Sequence, residues 1–269
     1  MAFVENDGAR IHWHALGKGE PLVMLMGLGC SSAMWFRLAP RLAKRFRVIL
    51  LDNRGVGLTS VQHFVVHRVS TMASDVAAVL DAAGEASAHV FGLSMGGMIA
   101  QEFALEHPAR VRSLMLAASH CGGAHAILAE SKVWRLLFSK GDMSPEDSLR
   151  AMQPYTYARH TPASVIEEDS LVRLANYPTL RGYQAQLYGL MGWSSHSRLP
   201  HLQCRTLVLH GVEDQLIPPQ NGCLLAQRIP GAELIALDQA SHWIHTDQTD
   251  RTVEAVQAFI DEPRNSASA

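Results

Sequence analysis

The chain has 269 residues, 48% of them hydrophobic, 18% charged and 7% aromatic, with a formal net charge of −2. That length suits one large domain or two small ones, and the apolar fraction, with 20 glycines and 12 prolines, excludes a disordered chain. Balanced charge, 23 basic against 25 acidic residues, supplies no footprint for nucleic acid or an anionic membrane surface. Cys30, Cys121, Cys204 and Cys223 show no CxxC spacing, which disfavours a zinc site or a disulfide framework and fits a reducing compartment. The opening MAFVENDGAR has no apolar stretch of signal-peptide type, and no run reaches the roughly 18 apolar residues of a membrane span. A cytoplasmic chain with no membrane span and no nucleic-acid partner is expected; a homo-oligomer is left open.

Taken in chain order, the expected elements begin with strands at Arg10–Leu16 and Pro21–Met26, joined by a Gly-containing turn and expected to form an antiparallel edge. A helical pattern over Ser32–Lys44 leads to a strand at Arg47–Asp52, then a helix over Thr71–Ala83 and a strand at Ala88–Leu93. A helix over Met95–Glu106 and a strand at Val111–Ala117 follow. Runs such as LVMLM, VILLD and HVFGL are apolar on consecutive positions, the pattern of strands covered on both faces in a parallel sheet. From about Gly122 to Arg198 the rhythm breaks. Helix starts such as Ser144-Pro145-Glu146-Asp147 and Thr161-Pro162 occur there without a strong strand, which reads as a helical insertion over the sheet. The sheet pattern resumes with Arg205–Gly211, a helix over Pro219–Arg228, Ala232–Leu237 and a last helix over Thr249–Ile260; residues 264–269 read as a frayed end.

Residues 88–107, AHVFGLSMGGMIAQEFALEH, turn from strand to helix within one residue, Ser94. Such a turn forces its side chain into an exposed, strained position, and Gly92, Gly96 and Gly97 remove the Cβ atoms that would collide there. The hydroxyl then stands above the carboxyl end of the sheet, with helix N–H groups available to a developing oxyanion. A serine needs a base, and the base an acid. Asp214 follows one later strand and His242 the next, so the order is Ser94, Asp214, His242.

These segments resemble the α/β-hydrolase family, near its small cap-bearing esterases, enol-lactonases and cofactor-free haloperoxidases. The resemblance spans the chain: MGLG at Met26–Gly29, DNRGVGLTS at Asp52–Ser60, GLSMGG at Gly92–Gly97, HGVEDQLIPP at His210–Pro219 and ASHW at Ala240–Trp243. It implies a mostly parallel central sheet flanked by helices, with residues 1–121 and 199–269 as the core and 122–198 as a helical cap. It further implies Ser94 as nucleophile, His242 as general base then acid, and Asp214 as the residue orienting the imidazole. The backbone N–H groups of Leu28 and Met95 would form the oxyanion hole. No cofactor and no metal are implied. Where the family usually has His-Gly, this chain has Met26-Gly27, so how that loop is held is not read from the motif.

Neighbouring residues take plainer readings. Asp52 and Arg54 are expected to hydrogen-bond local backbone beside the site. Glu213 should point away from the imidazole, and His245 should sit in the pocket wall or at the surface. Solvated positions are expected for His12, His14, His63, His67, His160 and His201, and a packing role for Cys30. A dinucleotide fingerprint at Gly27–Ser32 with Asp52 as ribose ligand is disfavoured, because Ser32 replaces the third glycine and Trp35 follows where close packing is needed. Members of the family that open carbon–halogen bonds or epoxides have Asp at the turn, and Ser94 excludes that mechanism. Esters, thioesters, lactones and some C–C bonds suit a serine, while a receptor with little turnover is the reading from another class. Trp134, Tyr188 and Trp193 of the insertion, with Trp243, are the expected substrate contacts. A small-molecule ester of moderate size, largely apolar and without a strongly anionic group, is expected.

Overall fold

The computed structural model describes residues 1–61 and 66–262; His63 and the tail 264–269 lie outside the described residues. Alternation of side chains along each strand sorts the apolar runs into two layers. Val23, Leu25, Ile49, Leu51 and Val90 face one side of the sheet, and Leu22, Met24, Val48, Leu50, Phe91 and Leu93 the other. Because both sides are covered, neither set of positions can be polar, which is why these strands read as unbroken apolar runs.

The strands are β1 (Ala2–Asn6), β2 (Ala9–Leu16), β3 (Glu20–Leu25), β4 (Phe46–Leu51), β5 (Ser60–Val61), β6 (Ala88–Leu93), β7 (Val111–Ala117), β8 (Thr206–Gly211) and β9 (Glu233–Leu237). Their order is β1-β2-β4-β3-β6-β7-β8-β9, with β5 paired to β2. Pairing is antiparallel among β1, β2 and β4 and parallel from β4 through β9. The expected hairpin of β2 with β3 does not form. β2 pairs instead with β1 and β4, leaving β3 central between β4 and β6. β1 escaped the sequence reading because only alternate positions of AFVEN are partly buried.

The helices are α1 (Ala39–Leu42), α2 (Val69–Ala82), α3 (Met95–Glu106), α4 (Ser131–Phe138), α5 (Pro145–Thr156), α6 (Ala163–Ala175), α7 (Leu180–Leu190), α8 (Gln220–Arg228), α9 (Ile244–Asp247) and α10 (Thr249–Asp261). α2, α3 and α8 contribute to the first layer, and α1, α9 and α10 to the second. The single expected helix over Ser32–Lys44 is a short 3-10 turn, Ser32–Phe36, followed by α1. No helix among the described residues is long and apolar enough to cross a membrane.

Between β7 and β8 the chain leaves the sheet as α4 to α7. Ser144 caps α5 by accepting from Asp147 N, with Pro145 at the first turn where a missing N–H does no harm. The insertion is tied down by polar contacts. Buried Asp169 of α6 accepts from Arg37 Nε, Tyr157 Oη and Thr246 Oγ1. Asp247 accepts from Ala158 N, Thr161 Oγ1 and Ser241 N, joining the insertion to the loop that carries His242.

Candidate active site

β3 and β6 are neighbours whose crossovers run to opposite sides, so the loops leaving their carboxyl ends meet at the point where strand order reverses. Open α/β sheets have their crevice at such a point. Ser94 sits there with φ 57° and ψ −119°, a region that residues with side chains rarely occupy. Its backbone is fixed: Ser94 N donates to Ala117 O at 2.8 Å, and Ser94 O accepts from Gly97 N and Ser119 Oγ. A Cβ at Gly92 would run into the Gly96 carbonyl, and one at Gly96 into the Leu25 carbonyl. The glycines therefore have a steric reason, and strain of about 1–3 kcal/mol at Ser94 is held by this packing.

The acid and the imidazole arrive from the ends of β8 and β9. His242 Nδ1 lies 2.9 Å from Asp214 Oδ2, and both residues are buried. Asp214 Oδ1 accepts from Leu216 N and Ile217 N at 2.9 and 2.8 Å, so its orientation is set by its own turn. His210 Nε2 donates to Ile217 O at 2.8 Å and lies 3.5 Å from Asp214 Oδ2. Burial by itself would raise the Asp214 carboxyl, but the His242 charge and hydrogen bonds from His210 and His242 outweigh it and hold the group below its ordinary value. Glu213 turns outward and accepts from Arg159 N.

Ser94 and His242 line one cavity of about 540 Å³, together with Leu28, Met95, Trp134 and Trp243. Met95 opens α3, so its N–H has no acceptor within the helix. The Leu28 N–H has no acceptor among the described residues and lies between two held peptide units. Cys30 N donates to Gly27 O, and Gly29 N donates to Gln186 Oε1 of α7 at 2.8 Å. Gln186 Nε2 in turn donates to Arg54 O, and Asn53 Nδ2 to Met26 O. That settles what the motif left open at Met26: side chains of Asn53 and Gln186 hold the loop, and Met26 itself is fully buried packing.

Several expectations are corrected. Tyr188 is 45% exposed and does not line the cavity. Trp193 turns towards α3, where its Nε1 donates to Glu102 Oε2 at 2.7 Å, because Glu102 is buried and needs donors there and from Arg198. His245 is neither wall nor surface: it is fully buried between Trp35 and Trp243, and burial pushes it down to about 3. His12 and His67 are buried rather than solvated, His12 against Asp52 and His67 kept neutral by burial, at about 4. Asp52 and Arg54 serve local structure: Asp52 accepts from Ser32 N and Leu58 N, and Arg54 pairs with Asp75 while donating to Asn6 O and Asp7 O. Cys30 is a buried packing residue. Among the described residues no three His, Cys, Asp or Glu side chains are grouped so as to hold a metal ion.

Sequence reasoning passed over three wall residues. His120 accepts at Nδ1 from Gly122 N, and burial lowers it to about 4, so its proton is on Nε2. Lys140 and Arg173 bring two cations into a wall that is otherwise mainly apolar. No local pattern marks them, since their direction depends on how the insertion docks.

An open parallel sheet with a strained serine at its switch point and an Asp-held histidine in the same cavity defines a hydrolase-type site. Residues 20–154 match the model of the alpha/beta hydrolase fold family. A poly(3-hydroxyalkanoate) depolymerase of Ectopseudomonas oleovorans is 30% identical over 250 residues, covering 92% of this chain and 86% of that protein. A solved N-acyl homoserine lactone degrading enzyme is 28% identical with a TM-score of 0.80, covering 96% of this chain and 100% of its own. A thermophilic esterase from Thermogutta terrifontis is 27% identical with a TM-score of 0.82, covering 94% and 93%. The chain belongs to the alpha/beta hydrolase family.

Proposed function

We propose that the protein is a serine hydrolase that cleaves a carboxylic ester, lactone or thioester of moderate size through an acyl-enzyme on Ser94. The observation that carries this reading is Ser94, on a strained turn, sharing a cavity with His242, whose Nδ1 is held 2.9 Å from buried Asp214. With Nδ1 occupied, Nε2 is the nitrogen left for the serine hydroxyl. Ser94 Oγ attacks the substrate carbonyl carbon as its proton passes to His242 Nε2. Charge on the carbonyl oxygen is taken by the N–H groups of Leu28 and Met95, and Asp214 stabilises the imidazolium. Collapse expels the alcohol or thiol, which takes the proton from His242. Water then attacks the acyl carbon, losing a proton to the same nitrogen, and the acid leaves with Ser94 restored. Trp134 and Trp243 supply apolar surface for the substrate body, and the names of the relatives support ester and lactone chemistry.

A fluorophosphonate probe should label Ser94, read by peptide mass spectrometry. Ser94→Ala should stay folded, lose the label and lose at least about a thousandfold in kcat/KM on p-nitrophenyl esters. Label on another residue would overturn the assignment.

A further inference from the structure

Lys140 lies in a 3-10 turn, Ser139–Asp142, just after α4, and Arg173 lies in α6. Both line the cavity that holds Ser94 and His242. Both also line a small crevice with Gly29 and Cys30, and Lys140 Nζ is 3.4 Å from where a Cβ on Gly29 would stand. The cations therefore converge at the end of the cavity beside the Leu28 loop.

Their partners are unusual for this molecule. Arg37, Arg54 and Arg198 each meet a buried carboxylate, those of Asp169, Asp75 and Glu102. Lys140 and Arg173 meet none among the described residues. Lys140 Nζ instead faces the rings of Tyr177 and Tyr183, at 4.5 and 4.2 Å from their centroids, and Arg173 Cζ lies 5.1 Å from that of Trp243. Ring faces attract a cation only weakly, which offsets only part of the cost of withdrawing it from water. Burial, with the Arg173 charge added, pulls Lys140 down to about 8. Two like charges in a mainly apolar cavity favour an anion there, and no carboxylate among the described residues pairs with either.

We propose that Lys140 and Arg173 form an anion subsite that takes a carboxylate carried by the substrate in addition to its scissile carbonyl. This deepens the acyl-transfer reading, on which it rests, and reverses the sequence expectation of a substrate without an anionic group. A guanidinium fork beside one ammonium suits a carboxylate, and the remaining wall suits the carbon chain linking it to the reacting carbon. The groups facing Lys140 from the surrounding elements are Arg173, Tyr177, Tyr183 and the Cys30 thiol. Burial pushes both tyrosine hydroxyls up, so they stay neutral while Lys140 titrates. Carboxylate binding should thus weaken as pH rises through about 8.

The test compares the p-nitrophenyl hemiester of adipate with neutral p-nitrophenyl hexanoate. Wild type should favour the hemiester at least about tenfold in kcat/KM at pH 7, mainly through KM, as one charge-assisted contact allows. Lys140→Met and Arg173→Met should each cut that ratio at least about fivefold, and Lys140→Arg should keep it while abolishing its decline near pH 8. A ratio near one in wild type, or one unchanged in both Met variants, overturns the subsite while leaving the hydrolase reading intact. If neither ester turns over and no fluorophosphonate label forms, the hydrolase reading fails by itself. Calorimetry of monomethyl adipate on Ser94→Ala then decides the subsite: Kd at least about tenfold weaker when Lys140→Met is added supports it, and an equal Kd or no binding overturns it.

Discussion

His242 Nδ1 lies 2.9 Å from Asp214 Oδ2, and His12 Nδ1 lies 2.9 Å from Asp52 Oδ2. All four residues are buried, and in both pairs backbone N–H groups fix the carboxylate. The difference lies on the far side of each ring. His242 lines the cavity shared with Ser94, whereas His12 Nε2 is buried without a partner among the described residues. A histidine held by an aspartate is therefore not a base by virtue of that contact. It becomes one when its second nitrogen faces a hydroxyl and a place for substrate. The His12 pair instead fastens β2 to the turn after β4.

The largest break between the pairs is expected from their aspartates. Asp214→Asn presents an amide N–H to His242 and favours the tautomer with its proton on Nε2, which cannot accept from Ser94. A fall in kcat of about 10⁴-fold is expected in a p-nitrophenyl ester assay. Asp52→Asn should leave kcat within about threefold, a comparison scale set by the Asp214 effect. Its effect is on stability: loss of a buried charge-assisted contact should lower Tm by roughly 3–9 °C, measured by calorimetry.

A third aspartate sharpens the contrast through pH. Burial, the leading cause, raises Asp247 to about 6, despite its hydrogen bonds from Thr161, Ser241 and Ala158. A carboxyl raised in the fold binds its proton more readily there than in the unfolded chain, so its contribution favours folding below about pH 4 and is lost as pH rises through about 6. Asp247→Asn should flatten the dependence of Tm on pH between about 4 and 7. An unchanged slope would show that other groups set it. The smallest effect is expected at His245, whose two ring nitrogens are buried without partners among the described residues. His245→Leu should leave kcat little changed and stabilise the fold by about 1 kcal/mol in denaturant unfolding, because it removes polar atoms that gain nothing there.

What the sequence disclosed was local. The turn at Ser94 was legible because strand, glycines and helix occupy consecutive positions, and the bounds Ala88–Leu93 and Met95–Glu106 coincide with β6 and α3. Asp214 and His242 were legible because each lies in the loop that leaves the carboxyl end of a strand, β8 or β9. The pairing of β2 was not, because strand order depends on contacts distant in sequence. Nor was the direction of side chains in the insertion. Trp134 reaches the cavity, while Tyr188 and Trp193 do not, and their apolar character is the same. Lys140 and Arg173 were missed for that reason too: a charged residue in a helical stretch ordinarily faces water, and only the docked insertion turns these inward.

Gln186 belongs to the insertion between β7 and β8, yet its amide reaches the core below it, accepting from Gly29 N on one side and donating to Arg54 O on the other. The insertion and the loops after β3 and β4 are thus mechanically joined rather than modular. Replacing the insertion with helices from a relative would, unless a glutamine were retained at that spot, slacken the Gly29 peptide beside the proposed oxyanion site. Engineers seeking new selectivity here should redraw the walls and leave this rivet alone.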